Sequence, residues 1–595
     1  MARSARDSNT VPPISYADRQ PPPMTANPAA PAVDPLAQHT ATWLLRWIRA
    51  QVDTSRAAVT LGPPPAGVRA ARPSTVVLTF YEGRKSAGFT GQGGSLLEAV
   101  MAAVANALTT PPAVRRVQLD IVEGDPAPVA KPAADDSLSD PDAQLAWQRL
   151  TSFQDGLAIA QGSTASWLVA TQLQLQSMSR PDAETVGAKA RDVLESAMTR
   201  LGQPSTVWQD SSIELWRFTT SAWIEDSTLE QALPLVQGIV PVTSFDRARL
   251  LAAARAGGEY LLRIQRPDGS FTYTKDPWLA VQSRTAYNIV RHAGTATALF
   301  QASAVLGEPR LLDAAQKAMA YLAGFYRDGS KPGLTYVLDK DGKAKLGAFG
   351  LALLAMTHKL DLAPQDGDRE MATQIARQIV ALQKPDGSFD SYLRLRGDEP
   401  TGNVSLYYPG EAMLALARLA HQGIDEGFMG AAHRGSDFLI AQRKGKRPPP
   451  DAWLIQALEV LYADAPKPSY VEHAVAISEA MLGEQFGPRT SVAYRGGIGP
   501  EPVSSTRTSA RVEGLLSAVR LTQSVGDARA ASLLASSSLT IPHLLQMQYD
   551  ADNAFFLDDP ASVHGGMRAG LDDAEIRIDY VQHYMSAMMM MAGLV

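Results

Sequence analysis

The chain has no cysteine among its 595 residues. Disulfides, thiolate nucleophiles and cysteine-bound metals are therefore excluded. Aromatic residues make up only 7% of the sequence, too few for an aromatic-lined isoprenoid cavity to be the first expectation. No apolar run approaches the 18 residues that a membrane-spanning helix requires, and the start, MARSARDSNT, is followed by no apolar stretch of the kind a secretory signal carries. Excess positive charge is also missing: the net charge is −6, which gives no basic field for nucleic acid. What remains is an ordinary globular balance, 45% hydrophobic and 19% charged, enough apolar side chain for a large core. A cytoplasmic protein is expected, with no membrane span and no nucleic-acid partner.

Residues 1–36 are rich in proline, alanine and polar groups (VPPISYADRQPPPMTANPAAPAVDP). They bury too little to offset their ordering entropy and read as a disordered tail, or as one that docks on a protein partner through Tyr16 and Met24. From residue 37 the pattern mixes periods of 3.6 and 2. AQHTATWLLRWIRAQV places Trp43, Leu44, Trp47 and Ile48 on one helical face, STVVLTFYEGR alternates as a strand, and SLLEAVMAAVANAL is a helix with Ser95 in the N-cap position. RRVQLDIVEG is a second strand, residues 124–145 a loop, and LTSFQDGLAIAQG strand-like. A helix follows that stops at Gly202, then a last strand, SSIELWRFTTSAWIE. This is an α+β unit over 37–230.

The order of pieces and a few short motifs resemble the AMMECR-type domain: Asp155-Gly156-Leu157 with Gly162, Trp167-Leu168, Gly202-Gln203-Pro204, Trp208 and Glu214-Leu215-Trp216-Arg217-Phe218. In that family an LRGCIG-like segment marks a presumed functional cleft. Here the matching stretch is Ser86-Ala87-Gly88-Phe89-Thr90-Gly91, with Ala87 and Phe89 where the family has arginine and cysteine. The resemblance therefore implies a scaffold or binding platform without the family's cleft chemistry.

Over 240–595 the pattern changes to about twelve Ala-rich helices separated by Gly/Pro/Asp loops, many apolar on more than one side, as burial in two concentric layers requires. A short element recurs: Gln265 with Asp268-Gly269-Ser270-Phe271, and Gln383 with Asp386-Gly387-Ser388-Phe389. Gly435 to Gln442 reads as a third, partial copy, and MQYDADNAFF (547–556) as a candidate fourth. Asp-Gly sets the turn, Ser caps, and the aromatic fills the gap between hairpins. Repeated hairpins each need neighbours to bury their faces. The element resembles that of the α/α toroids: terpenoid cyclases, sugar epimerases, polysaccharide lyases and six-hairpin glycosidases. The expected fold is thus multidomain, a small α+β domain followed by an all-α (α/α) toroid of about twelve helices. The absence of cysteine removes the zinc chemistry of lanthipeptide cyclases, another toroid family.

Polar clusters near helix starts are the candidates for function. Tyr287, Arg291 and His292 precede an Ala-rich helix; arginine can hold a carboxylate in two bonds and histidine can move a proton. Tyr407, Tyr408 and Glu411 open another helix, where the tyrosines could stack a sugar or act as acids and Glu411 could act as a base, or only complement the helix dipole. Arg495, Arg507 and Arg511 lie in or after a Gly-rich loop able to cradle an anion. Arg511 and Glu513 are two apart and diverge. Asp579 and His583, at i and i+4, share a face and could be an acid/base couple or half a metal site, although neither HExxH nor a second paired cluster accompanies them. A helix cap with a satisfied core histidine explains the same pair. Asp550-Ala-Asp552-Asn553 has the outline of the acidic motif of class II terpene cyclases but departs at its last position and reads as an Asx turn. The run Met588–Met591 reads as flexible core packing.

The pattern implies an enzyme acting on a carbohydrate or other polyanion in the toroid's central cavity, of epimerase, lyase or hydrolase type. His292, Tyr408, Glu411 and His583 would be catalytic, and Tyr287, Arg291, Tyr407, Arg495, Arg507, Arg511 and Asp579 would bind substrate. No metal and no cofactor is expected. A terpenoid-type cyclase and a non-catalytic binding or assembly protein are the alternatives; the last predicts that charges around the cavity pair with one another.

Overall fold

The structure is a computed structural model and describes residues 34–53, 61–133, 135–138, 140–162, 164–178, 186–200, 203–279, 287–340, 342–394, 399–400 and 404–595. Tyr16, Met24 and Gly202 lie outside these residues.

The first part is an antiparallel sheet of seven strands: β1 (Ser74–Glu82), β2 (Lys85–Gly93), β3 (Arg116–Pro128), β4 (Gly156–Gln161), β5 (Thr164–Leu168), β6 (Ile213–Glu225) and β7 (Ala232–Leu235). Their order is β2-β1-β3-β6-β4-β5, with β7 paired to β6. Helices α1 (Pro35–Val52) and α2 (Leu96–Thr109) bury Leu44, Ile48, Val100 and Val104 against β1 and β3. Ser95 caps α2, its hydroxyl accepting from the amide of Glu98. Helices α3 (Pro141–Thr151), α4 (Ala170–Ser177) and α5 (Val186–Arg200) complete this part, α3 and α5 around Trp147, Leu194 and Trp208. The sequence reading placed a loop and strand over 124–155. Instead β3 runs on to Pro128 and α3 follows, with Asp140 as its N-cap and Pro141 in its first turn.

The second part is a closed ring. Six inner helices, α7 (Ile289–Leu306), α9 (Leu346–Leu362), α11 (Tyr408–His421), α13 (Ala452–Asp464), α15 (Ser505–Ser524) and α17 (Ile578–Ala592), each pack on the next, and α17 packs back on α7. Six outer helices alternate with them along the chain: α6 (Arg247–Ile264), α8 (Pro309–Ala323), α10 (Asp368–Ala381), α12 (Gly427–Arg443), α14 (Pro468–Leu482) and α16 (Arg529–Leu545). All twelve helices of the expected toroid are present. The inner helices are buried on nearly every side (Leu346 to Thr357 of α9 without a break), which is why they lack a clean amphipathic stripe. Glycine permits their closest approaches: a Cβ on Gly350 would lie 2.9 Å from the amide nitrogen of Ala412, and one on Gly514 2.8 Å from the Cα of Ala452.

The repeated element clasps one outer helix to the next. Gln265 donates its side-chain N–H to the carbonyl of Ala314 on α8 at 2.8 Å, and Gln383 donates to Ala431 on α12 at 2.8 Å. Gln485 reaches Ser536 on α16 at 2.8 Å. Gln548 reaches Ala253 on α6 at 3.0 Å, joining the end of the ring to its beginning. Each copy also holds a left-handed glycine pressed on the carbonyl three residues further along the same helix. A Cβ on Gly269, Gly387, Gly496 or Gly565 would lie 2.1, 2.5, 2.1 or 1.9 Å from the carbonyl oxygen of Lys317, Arg434, Leu539 or Ala256. The expected third copy at 435–442 does not form this clasp; there Arg447 donates to Ala480 on α14. The serine differs from its expected role as a cap. Ser270 and Ser388 give both their amide and hydroxyl hydrogens to the turn's own Asp268 and Asp386.

The two parts share one apolar core, in which Tyr81, Ile224 and Leu235 of the sheet join the ring. Tyr81 meets Phe555 edge-on with ring centroids 5.0 Å apart. Around it Arg84 pairs with Asp558 at 2.6 Å, Arg116 donates to the carbonyl of Ala551, and Asp552 accepts the amide of Ser227. Asp550 accepts the amides of Asp552 and Asn553, the Asx turn read from sequence.

Gly565→Ala forces a left-handed backbone (φ +82) on a residue with a Cβ and drives that Cβ into Ala256. A loss of roughly 3 kcal/mol or more is expected from strain and clash together. Gly445→Ala, at φ +73 with open space around it, should lose about 1–2 kcal/mol. Urea midpoints of the two variants check this difference.

Candidate functional site at the mouth of the ring

The inner helices run parallel, so their amino ends gather at one mouth of the ring. Short polar side chains start three of them: Asn288, Asp451 and Ser504 accept the amides of Arg291, Leu454 and Arg507. On α11, Pro409 occupies the first turn and Glu411 follows. Gly347 on α9 leaves room for it, since a Cβ there would lie 2.5 Å from Glu411 Oε2 and 2.4 Å from the ring of Tyr408.

Glu411 is buried, and its Oε2 has no hydrogen-bond partner among the described residues. Burial, then the neighbouring Asp451, hold its carboxyl well above the usual range, which favours the protonated acid over the base expected from the sequence. Burial and the nearby Glu411 also push the Tyr408 phenol up. Tyr407 is 43% exposed at the rim.

On the other side of the mouth lies a cluster of charges. Burial opposes the charge of Asp579, but a 2.6 Å bond from Arg577 and the charge of Arg291 at 3.1 Å keep it below the ordinary carboxylate range. Arg291 also donates to the Tyr273 hydroxyl at 2.7 Å. His583 does not bond Asp579, its i−4 neighbour. Its Nδ1 lies 2.7 Å from Glu513 Oε2 on α15. Burial favours neutral imidazole there, but Glu513 outweighs it and raises the pKa. Trp453 links the two sides: its ring is 6.0 Å from that of His583, and a Cβ on Gly410, beside Glu411, would lie 2.8 Å from its Cβ.

The remaining candidates are placed differently. His292 points outward: its Nδ1 lies 2.7 Å from the Tyr287 hydroxyl and its Nε2 2.8 Å from the Ala318 carbonyl on α8. With both nitrogens engaged and burial lowering its pKa to about 4, His292 and Tyr287 bind the hairpin together rather than face the mouth, contrary to the expected proton shuttle. Arg495 belongs to the clasp after α14 and donates to Thr490 O. Arg511 pairs with Glu484 at 2.6 Å. Arg507 is exposed and makes no side-chain hydrogen bond or ion pair among the described residues; burial of part of its stem and the charge of Arg511 lower its pKa.

Below the mouth the bore closes. Gln582, Glu513, Trp453, Leu414 and Arg418 surround a central cavity of about 20 Å³, room for about one water. The expected substrate cavity in the middle of the toroid is filled by side chains. Among the described residues no group of three His, Asp or Glu is arranged to hold a metal, and no helix is long and apolar enough to cross a membrane. Sequence reasoning missed Trp453 and Asp451, and named Glu513 beside Arg511 without its pairing to His583. A charged or tryptophan side chain in the first turns of an otherwise Ala/Leu-rich inner helix was the available signal.

No family model matches the chain, and none of the curated proteins does. Among solved structures it is similar to cellobiose 2-epimerase from Bacillus thermoamylovorans B4167, at 12% identity and TM-score 0.45, covering 58% of this chain and all of that one. A family 76 glycoside hydrolase from a bovine Bacteroides thetaiotaomicron strain is similar at 9% identity and TM-score 0.46, with 81% and 96% covered. An unsaturated glucuronyl hydrolase specific for heparin is similar at 12% identity and TM-score 0.42, with 58% and 98% covered.

The histidines divide by pH. His292 and His543, both lowered to about 4 by burial, take up a proton near pH 6.5 when unfolded but not when folded. Their stabilisation is complete above pH 6.5 and is lost as pH falls toward 4, by about 1.4 kcal/mol per pH unit for each. NMR titration of the imidazoles should give midpoints near 4 for these two and above 6.5 for His583. A His583 midpoint below 6.5 would contradict the Glu513 pairing.

Proposed function

We propose that the protein is an enzyme performing acid–base chemistry on a carbohydrate or other polar, polyanionic substrate at the mouth of the ring, of epimerase, lyase or hydrolase type. The observation that carries this reading is Glu411, a buried carboxyl with an unpartnered oxygen, whose pKa burial holds well above the usual range. A carboxyl with a raised pKa is suited to act as a general acid. Glu411 would deliver its proton to a substrate oxygen. The His583–Glu513 pair, linked to it through Trp453, would exchange the second proton. Arg507, without a partner of its own, would hold a negative group on the substrate, and the exposed face of Tyr407 would stack on a sugar ring. Arg291 and Arg511 act here through the carboxylates they already bind. The α+β part, resembling the AMMECR-type domain, would serve as scaffold, docked on the segment between α16 and α17.

A second reading is favoured by a specific observation. Charges around the bore are mostly paired with each other, and the bore holds only about 20 Å³. Both facts suit a non-catalytic binding or assembly protein. The same small, polar bore gives no support to a terpenoid cyclase.

The test uses the full chain, a thermal-shift screen of uronates, oligosaccharides and sugar phosphates, and assays on any hit. A ligand at 100 times its Kd should stabilise by roughly 2.7 kcal/mol. Glu411→Gln keeps the shape and removes the proton, so kcat/KM should fall about 100-fold or more with little change in melting temperature. An active Glu411→Gln enzyme would remove the general-acid role. Silence of the whole screen would favour the assembly reading.

A further inference from the structure

At the opposite end of the ring, where the inner helices finish, lies a second cavity of about 400 Å³. That size is within the range of small-molecule sites. Its walls are apolar at the rim: Val305, 49% exposed, with Met589 and Met590 from the end of α17 and Leu594 just after it. The methionine run that reads as core packing is thus divided. Met588 and Met591 are fully buried in the core, whereas Met589 and Met590 line this cavity with adaptable, polarisable surface.

At the floor stands Arg418 of α11, which also borders the small central cavity. Its Nε is buried without a hydrogen-bond partner, and its guanidinium forms no ion pair among the described residues. The other cation in the cavity, Arg520, is neutralised by Glu459 through bonds of 2.6 and 2.7 Å. His358 beside it is held neutral by burial, with a pKa of about 3. Glu459 and Asp361 act on Arg418 only from beyond ion-pair distance, so it is the one cation facing the cavity without a bonded carboxylate among the described residues. Burying a guanidinium without a partner is costly. An arginine near a helix carboxyl end offsets part of that cost through the helix dipole, but the dipole supplies no acceptor for the buried Nε–H.

We propose that this cavity is a binding site for a monoanionic amphiphile, a carboxylate carrying a short hydrocarbon body. The carboxylate lies on the guanidinium of Arg418, and the hydrocarbon lies along Val305, Met589, Met590 and Leu594. The converging carboxyl ends of the inner helices carry partial negative charge, which favours a single charge over a dianion. The site is independent of the proposed chemistry at the mouth and holds whether or not that reading does.

Isothermal titration of the full chain with octanoate tests it, with octan-1-ol and octyl phosphate as controls. Octanoate should bind at one site per chain, and each control at least ten-fold more weakly. Arg418→Gln should weaken octanoate at least ten-fold. Because that variant removes a buried side chain, Val305→Glu is the second probe: it leaves the core intact, places a negative charge on the rim and should weaken binding to a similar degree. The proposal is overturned by absence of octanoate binding, by octan-1-ol binding as tightly as octanoate, or by Val305→Glu binding octanoate like the parent chain.

Discussion

A ring of hairpins exists only if its last member meets its first, and here that requirement rests on one amide–carbonyl bond used four times. Gln265, Gln383, Gln485 and Gln548 each donate to the neighbouring outer helix, and the fourth closes the circle by reaching back to Ala253 on α6. The paired glycine sets how close the loop comes, because its missing Cβ lets two backbones touch. Together they fix the spacing of the outer layer, and the inner helices fit within it. The mouth follows from that spacing. Glu411 lies over Gly347, and Asp579 reaches Arg291, because neighbouring inner helices are held within side-chain reach.

The electrostatics of the mouth divide into two regimes. Around Asp579 and His583 every charge has a partner, and for these two groups the partners outweigh the desolvation that burial imposes. Around Glu411 no cation is at hand, so burial decides and the carboxyl's pKa is held well above the usual range. Two carboxyls at one mouth, Glu411 and Asp579, are thus shifted in opposite directions for a reason visible in their surroundings.

The twelve ring helices were legible in sequence from apolar spacing and Gly/Pro breaks, as were the two clasps in which glutamine and glycine are four residues apart. The copy at Gln548 was in view as the candidate fourth at 547–556, whereas the copy at Gln485 was obscured; their glycines, Gly565 and Gly496, follow after loops of different length, and the chain reaches the same contact by a longer path. Helix α3 was hidden behind a Pro/Asp-rich stretch that is in fact its cap. His292 was misplaced because α7 begins at Ile289, earlier than the Ala-rich run suggests, and the shift turns His292 toward α8. The raised pKa of Glu411 could not be read at all, since it depends on which residues from other helices stand around it. Arg418 was not singled out in the sequence, and only the cavity shows that its Nε lacks a partner.

The contact between Arg84 and Asp558 spans 474 positions of chain. At roughly 5–20 residues per second, a ribosome completes Asp558 about 25–95 s after Arg84. From Leu235 on, for the last 323 of those positions, the apolar face of Tyr81, Ile224 and Leu235 has been made while Phe555 and Asp558 have not. Closure of the ring by α17 comes later still. The nascent chain therefore presents a sticky surface until the segment around Asp558 has been made, which makes elongation speed and chaperone access part of how this architecture is reached.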